Sequence, residues 1–355
     1  MGGLSVKAST LSYFKWAFIV TIAGLAASTL YGYFSFGMSG ALAFLFITAV
    51  LAVLEISLSF DNAVVNANKL KTMSHVWQRR FLTWGILIAV FGMRLVFPLV
   101  IVVLAAKVGP LAAIHLAFAE PRAYAEIMHD AHLPIAAFGG TFLLMVGLSY
   151  FFDHEKDVHW FAPLEKPMAK LAAVKGIETG IALVLVLVFS KLVEDGRSQE
   201  FFYSAIYGLL TYLAIEVLSG LLDATQTQTA KAAAQGGLGA FIYLEVLDAS
   251  FSFDGVIGAF ALTKNLLVIA IGLGIGAMYV RSLTIMLVDR QTLSHFRFLE
   301  HGAFYAILVL AVIMYVQTLF EIPEAITGLV GAGLIALSLW SSIRWRKLQE
   351  LAETL

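Results

Sequence analysis

The stretch Glu55-Ile56-Ser57-Leu58-Ser59-Phe60-Asp61-Asn62 lies within an apolar run long enough to cross a lipid bilayer. A second stretch, Asp248-Ala249-Ser250-Phe251-Ser252-Phe253-Asp254-Gly255, repeats its pattern of acid, any residue, Ser, apolar, Ser, Phe, Asp, then Asn or Gly. A carboxylate at the centre of a membrane helix costs about 2.5–3.5 kcal/mol on insertion scales. Glu55, Asp61, Glu245, Asp248 and Asp254 together cost on the order of 10 kcal/mol if all lie deep. A bound divalent cation offsets that cost, because carboxylate, hydroxyl and amide oxygens are its natural ligands. Protonation offsets it too, since burial favours the neutral acid. Alternation between the two is the physical basis of cation/proton exchange.

Around these motifs the chain is built for lipid. Its 355 residues are 60% hydrophobic and 13% charged, with a mean hydropathy of +0.87, whereas soluble domains carry about 25% charged residues. The net charge of −1 gives no field that would attract nucleic acid. The absence of cysteine removes disulfides, thiolate zinc sites and iron–sulfur clusters. Metal chemistry here must use hard oxygen ligands.

A span needs about 20 mostly apolar residues. That measure predicts an all-α polytopic membrane protein, one membrane domain over 1–355, with ten helices near 12–34, 40–68, 81–106, 134–152, 177–193, 201–222, 238–262, 265–288, 302–320 and 324–345. With the amino terminus inside, the connections on that side carry Lys7, Lys69, Lys71, Arg79, Arg80, Lys156, Lys166, Lys170, Lys175, Lys231, Arg290, Arg297, Arg344, Arg346 and Lys347. The opposite side carries Lys107, Arg122, Arg197 and Lys264. The positive-inside rule therefore places both termini in the cytoplasm. The apolar run 13–34 is too long for the core of a cleaved signal and is expected to be the first span.

Weaker echoes follow the two motifs in the same order. Gly92-Met93-Arg94 answers Ala277-Met278-Tyr279-Val280-Arg281, and Phe138-Gly139-Gly140-Thr141-Phe142 answers Glu300-His301-Gly302-Ala303-Phe304. Helices two to four (40–152) are thus expected to repeat as helices seven to nine (238–320), and an odd offset of five helices makes the repeat inverted. Inverted repeats meeting at the midplane are a recurring plan among secondary transporters.

Geometry sharpens the expectation. At roughly 100° per residue, an unbroken helix puts Glu55, Ser59 and Asn62 on one face and turns Ser57 and Asp61 roughly 120–160° away. Asp-Asn and Asp-Gly are turn-forming pairs, so local unwinding is expected near Asp61 and Asp254, gathering both motifs around one oxygen-rich site. The expected ligands are Glu55, Ser59, Asp61, Asn62, Glu245, Asp248, Ser252 and Asp254. Arg94 and Arg281 balance the empty site or pair with its acids structurally. Glu216, with Ser219 and Asp223 on nearby turns, is a candidate proton relay or a helix–helix hydrogen bond. Asn66 continues the Asn62 face. Ser57 and Ser250 suit hydrogen bonds within the bundle. Glu178 and Glu300-His301 open helices, where an acid at a helix start needs no further role. Glu126, His129, Asp130 and His132 in the outer connection 107–133 could trap a metal, or form a solvated helix face.

At these motifs the sequence resembles the TerC-like integral membrane proteins of the LysE superfamily of exporters, in a branch catalogued as conserved proteins of unknown function. The carriers are Glu55 to Asn62, the run Leu244 to Gly255, and the helices of Arg94 and Arg281, so that the resemblance covers about residues 40–320. It implies two inverted three-helix units, manganese efflux, and, for some members, a tie to tellurite resistance. It places Glu55, Asp61, Glu245, Asp248 and Asp254 at the family's acidic positions. Relatives commonly carry Asp-Ser where this chain has Asp254-Gly255.

The expected function is export of a divalent cation, Mn²⁺ first and Ca²⁺ second, in exchange for protons or driven by the membrane potential, with no resident cofactor. The alternatives are an exporter of another small solute and a membrane scaffold of a metal-stress complex. The lipid bilayer and the metal ion are the expected partners, with self-association left open. No Ser/His/Asp order, HExxH or phosphate loop suggests an enzyme.

Overall fold

The computed structural model describes residues 10–153, 156–194, 196–224, 237–290, 296–320 and 322–353. Among them the fold is all-helical, without strands. The helices are α1 (Thr10–Tyr13), α2 (Lys15–Leu58), α3 (Phe60–Lys71), α4 (His75–Leu87), a π-helical segment (Ile88–Val96) and α5 (Phe97–Ala105). Then come α6 (Pro110–Ala119), α7 (Pro121–Asp130), α8 (His132–Phe151), α9 (Ala162–Leu171), α10 (Ile177–Leu192) and α11 (Ser198–Ala224). The chain ends with α12 (Leu238–Leu262), α13 (Leu266–Asp289), α14 (Leu299–Gln317) and α15 (Glu324–Glu353).

Among the described residues, seven helices are long and apolar enough to cross a membrane: Lys15–Leu58, Ile88–Ala105, His132–Phe151, Ser198–Leu221, Leu266–Asp289, Leu299–Gln317 and Ile326–Leu351. The protein is therefore a multi-pass membrane protein. Seven replaces the expected ten for identifiable reasons. The first two expected spans form one 44-residue element, α10 has only 16 residues, and α12 carries three acids. The 44-residue element is not straight. Gly37 adopts φ +70°, a left-handed conformation that favours glycine. The Ser28 and Thr48 hydroxyls bond each other at 2.6 Å, although residues that far apart on a straight helix would be about 30 Å apart. The chain thus folds back at Gly37, and the limbs 15–36 and 38–58 lie side by side.

The second limb carries Glu55 inward because α13 leaves room for it. Gly272 and Gly276 stand one turn apart on the facing surface, the small-xxx-small spacing that lets membrane helices approach closely. A Cβ on Gly272 would lie 2.6 Å from Leu51 Cβ, and one on Gly276 would lie 2.4 Å from Glu55 Cβ.

The unwinding predicted near Asp254 does not occur, and near Asp61 it is confined to a one-residue kink. The only interruption near either motif is at Ser59 (φ −103°, ψ 17°), between α2 and α3. Even there the backbone stays bonded, Ser59 N–H to Glu55 O at 3.0 Å and Ala63 N–H to Ser59 O at 3.2 Å. Asp61 lies in the first turn of α3, and its carboxylate accepts the Asn62 N–H at 2.9 Å. The second motif runs through uninterrupted helix α12. Asp-Asn and Asp-Gly turn readily in water, but in lipid each unpaired backbone group costs several kcal/mol, so the helix is kept. The two motifs therefore differ locally, and their correspondence is one of sequence. The π segment has no counterpart in α13, which is regular throughout.

At one end of the bundle, the short helix α9 is held by a buried acid that sequence reading passed over. Glu165 is 1% exposed. It accepts the Phe161 and Trp160 N–H groups (3.0 and 3.2 Å) and the Tyr305 hydroxyl (3.0 Å). Lys156, His159 and His301 approach it at 3.5, 3.5 and 3.4 Å. Burial alone would push its pKa up, but the His301 bond, the Phe161 N–H and the Lys156 charge hold it down at about 2. Burial pulls the Lys156 ammonium down to about 8, against the attraction of Glu165. Removing one partner of such a buried network costs about 3 kcal/mol. Glu165→Ala is expected to lower the unfolding temperature and to expose the 152–176 connection to protease. Because the folded carboxyl titrates at about 2 rather than at 4.5, the wild type keeps this stabilisation above pH 4.5 and loses it as pH falls toward 2. Thermal melts across that range, with Glu165→Ala showing a flatter profile, check it.

Candidate functional site

The interior polar groups surround two small cavities that meet at Ser59. The first, about 30 Å³, is lined by Glu55, Ser59 and Asp61 from α2 and α3, by Phe251 and Gly255 from α12, by α14, and by Thr327 and Gly331 from α15. The second, about 20 Å³, is lined by Ser59, Asn62, Asn66, Arg94, Asp248, Ser252, Arg281 and Thr284. Each has room for water or a small ion.

Glu55 stands at their junction, 2% exposed. Its Oε1 accepts the Ser59 hydroxyl at 3.0 Å and pairs with Arg94 Nη2. Its Oε2 points toward α12, where a Cβ on Gly255 would lie 3.3 Å away. Arg94 rises from the π segment and also donates through Nη1 to the Ala89 carbonyl. Asp61 is 5% exposed, and among the described residues no basic side chain lines its cavity. A Cβ on Gly331 would lie 3.6 Å from its Oδ2. The Thr327 hydroxyl is buried without a hydrogen-bond partner.

In the second cavity Asn66 Nδ2 donates to Asp248 Oδ1 at 2.7 Å. The Asn62 and Asn66 carbonyl oxygens and the Ser252 hydroxyl are buried without hydrogen-bond partners. An unsatisfied buried polar group costs about 1–3 kcal/mol, so these atoms call for water or a ligand. Arg281 donates to the Phe81 carbonyl at 2.8 Å, and its guanidinium stacks over the Phe81 ring at 3.9 Å. Glu245 lies outside both linings. Its carboxylate and the Arg281 guanidinium both crowd the place a Cβ on Gly85 would take, and neither of its oxygens has a hydrogen-bond partner.

The expected ligands are therefore divided. Glu55, Ser59 and Asp61 share the first cavity; Asn62, Asp248 and Ser252 share the second, with both arginines. Among the described residues, no three carboxylates or imidazoles come together in a group able to hold a metal ion. The Asp254 side chain lies outside the described residues, although its neighbour Gly255 lines the Asp61 cavity. Two of the expected serines turn back onto their own helices, Ser57 to Val53 O (2.8 Å) and Ser250 to Val246 O (2.9 Å).

Glu216 is exposed and takes no part in either cavity, contrary to its expected relay position. The Ser190–Ser198 bond (3.2 Å) sets the antiparallel register of α10 and α11. Counting from that pair puts Glu216 roughly 9 Å beyond the level of Glu178, toward the bundle end. The Asp223 side chain lies outside the described residues. Glu300 pairs with Lys71 at 3.2 Å, and His301 belongs to the Glu165 cluster. In the 107–133 connection, Glu126, His129 and Asp130 are exposed, and α7 turns Tyr124 inward against Phe260. This is a solvated face, with no group of three metal-binding side chains among the described residues.

Thr327 and Gly331 escaped sequence reading because α15 lies beyond the second matched unit. The available signal was the hydroxyl of Thr327 on one helix surface with Gly331, four residues on.

The Glu55–Arg94 pair is open to direct measurement. Glu55→Gln leaves a buried guanidinium without its partner and is expected to cost about 3–5 kcal/mol of stability. Adding Arg94→Gln should recover most of it. Additive losses in this double-mutant cycle, read by thermal unfolding in detergent, would mean that the two side chains do not interact.

The sequence profile of a family described as "Protein of unknown function (DUF475)" matches residues 60–349. Asp61, Asn66, Arg94, Asp248, Arg281 and Thr327 fall within the match, which spans most of the chain, and the chain belongs to that family. No curated protein and no solved structure matches it.

Proposed function

We propose that this DUF475-family membrane protein exports a divalent cation, Mn²⁺ before Ca²⁺, in exchange for protons, with the cation held in the Asp61 cavity. The proposal includes the finer kinship with TerC-like exporters that the two acidic motifs imply. It also includes their inverted relation, cytoplasmic termini and a place in the plasma membrane.

The observation that carries it is a charge imbalance. Among the described residues, Glu55, Asp61, Glu245 and Asp248 are buried, and two buried guanidinium groups, those of Arg94 and Arg281, face them. Two negative charges are left over, matching one divalent ion or two protons. The arginines line the second cavity, whereas no basic residue lines the first. Glu55 Oε2, Asp61, Ser59 and the unpartnered Thr327 hydroxyl give the first cavity hard oxygen donors only, as Mn²⁺ and Ca²⁺ prefer. Ca²⁺ takes 6–8 oxygens; four side chains and two waters supply about six, the lower end of that range, which suits a six-coordinate ion first.

A volume of about 30 Å³ leaves no room for an amino-acid side chain, which weighs against export of a larger solute. The Glu55–Arg94 pair is what a purely structural role for the acids would produce. Asp61 has no such partner, and it carries the functional reading.

Liposomes containing the reconstituted protein and a metal-sensitive dye test the proposal. Mn²⁺ added outside should enter wild-type vesicles with an accompanying proton counterflow, and Asp61→Asn should reduce the initial rate at least tenfold. Equal rates in wild type, Asp61→Asn and protein-free vesicles would remove the proposed function.

A further inference from the structure

The geometry points to Arg94 as a tethered rival of the transported cation: it occupies Glu55 while the first cavity is empty and moves to Asp248 when the ion arrives. This inference rests on the proposed function and gives its two cavities distinct tasks. Arg94 is a positioning residue, since its role is to hold or release Glu55.

Three features single out this arginine. First, Arg94 reaches both cavities. It binds Glu55 of the first through Nη2 while lining the second beside Asp248. Second, its seat at Asp248 is ready. Asn66 fixes one carboxylate oxygen at 2.7 Å, and among the described residues the other takes no hydrogen bond or ion pair of 4 Å or less. The Nε of Arg94 is itself buried without a partner, so the guanidinium is not fully satisfied where it stands. Third, its support is the π-helical segment Ile88–Val96. π turns are rare and occur frequently at functional sites. Arg281 shares the unpartnered Nε but lines only the second cavity. It is clamped by the Phe81 carbonyl and ring and sits in the regular helix α13.

The two positions solve one electrostatic problem. A carboxylate in lipid must always face a positive charge, or its protonation state changes. With Arg94 on Glu55, the empty carrier keeps that acid compensated. A cation in the first cavity replaces Arg94 at Glu55, and Asp248 receives the displaced charge across the second cavity. Neither Glu55 nor the guanidinium is stranded at any stage. A ligand shifts such an equilibrium only by its differential affinity for the two states, so removing the rival must tighten the ion's hold.

Titration calorimetry of Mn²⁺ into the full-length protein in detergent, paired with the vesicle assay, tests this. Arg94→Gln is expected to bind Mn²⁺ at least tenfold more tightly than wild type yet transport it more slowly. A purely structural defect would weaken binding. Arg94→Lys, which keeps the charge, should restore weaker binding and part of the turnover. Asp248→Asn removes the second seat and should weaken binding at least tenfold, although Asp248 does not line the ion's cavity. Wild-type binding with equal or weaker affinity in Arg94→Gln would overturn the rivalry while leaving the proposed function standing, as would normal affinity in Asp248→Asn. A wild type that neither binds nor transports Mn²⁺ would overturn both.

Discussion

Every part of the interior answers to one constraint: a carboxylate carried into lipid has to meet a compensating charge or a proton. The Glu55–Arg94 pair is where that constraint acts most visibly. Glu55 reaches its place because Gly272 and Gly276 leave no side chain between α13 and the second limb of α2. Arg94 reaches it from a segment wound more loosely than an α-helix. Close helix approach on one side and relaxed winding on the other therefore serve the same ion pair. A buried pair of this kind adds little net stability compared with well-packed apolar residues, yet losing one member is costly. Its retention suits a charge that must be present but exchangeable.

The remaining acids are distributed unequally around that pair. Asp248 and Glu245 lie on the side where Arg281 is clamped. Asp61 lies on the side where α14 and α15 close the bundle and where no arginine or lysine lines the cavity. Ser59 belongs to both sides, and it is also the single residue at which the helix is interrupted. A one-residue kink keeps nearly all backbone groups bonded, so the polar character of the cavities comes from side chains. That favours selection by carboxylate and hydroxyl number over selection by a ring of backbone carbonyls.

Much of this was legible in the sequence, for reasons that differ by level. Long apolar runs announce helices because the bilayer sets their length, and the described segments fall close to the expected ranges. The count of long spans was less legible, because it depends on the shortness of α10 and on the acids of α12, whereas the fold-back at Gly37 separates the first two limbs where the sequence expected two helices. The acids of both motifs stood out because burying charge is expensive, and Glu55, Asp61, Asp248 and Arg94 do lie inside. Which acid meets which base could not be read, since Arg94 and Glu55 are 39 positions apart and nothing local couples them. The expected unwinding is absent at Asp254 and shrinks to one residue, Ser59, near Asp61, because turn propensities are measured in water, where a freed carbonyl is solvated. Glu216 misled for a related reason: an acid in an apolar helix reads as buried until the register of α10 and α11 sets it near the bundle end. Glu165 was invisible because its partners Tyr305 and His301 lie on α14, far along the chain.

The position of Thr327 bears on how the bundle works as a whole. The two matched segments, taken alone, would suggest a site built by two equivalent halves. The first cavity instead needs α15, a helix outside both, to supply its closing wall and its one unpartnered hydroxyl. Gly328, buried on the same helix, packs on Leu58 at the end of α2. Any movement of α15 is therefore felt at the kink beside Ser59. At the opposite end of α14, the Glu165 cluster ties α9 to His301 and Tyr305, anchoring the helix against which α15 packs. The halves need not be equivalent for the interior to hold a charge: one side fixes its acids with Arg281, and the other leaves Asp61 to whatever cation or proton the cavity admits. That asymmetry, more than the repetition of the motif, is what the buried charges require.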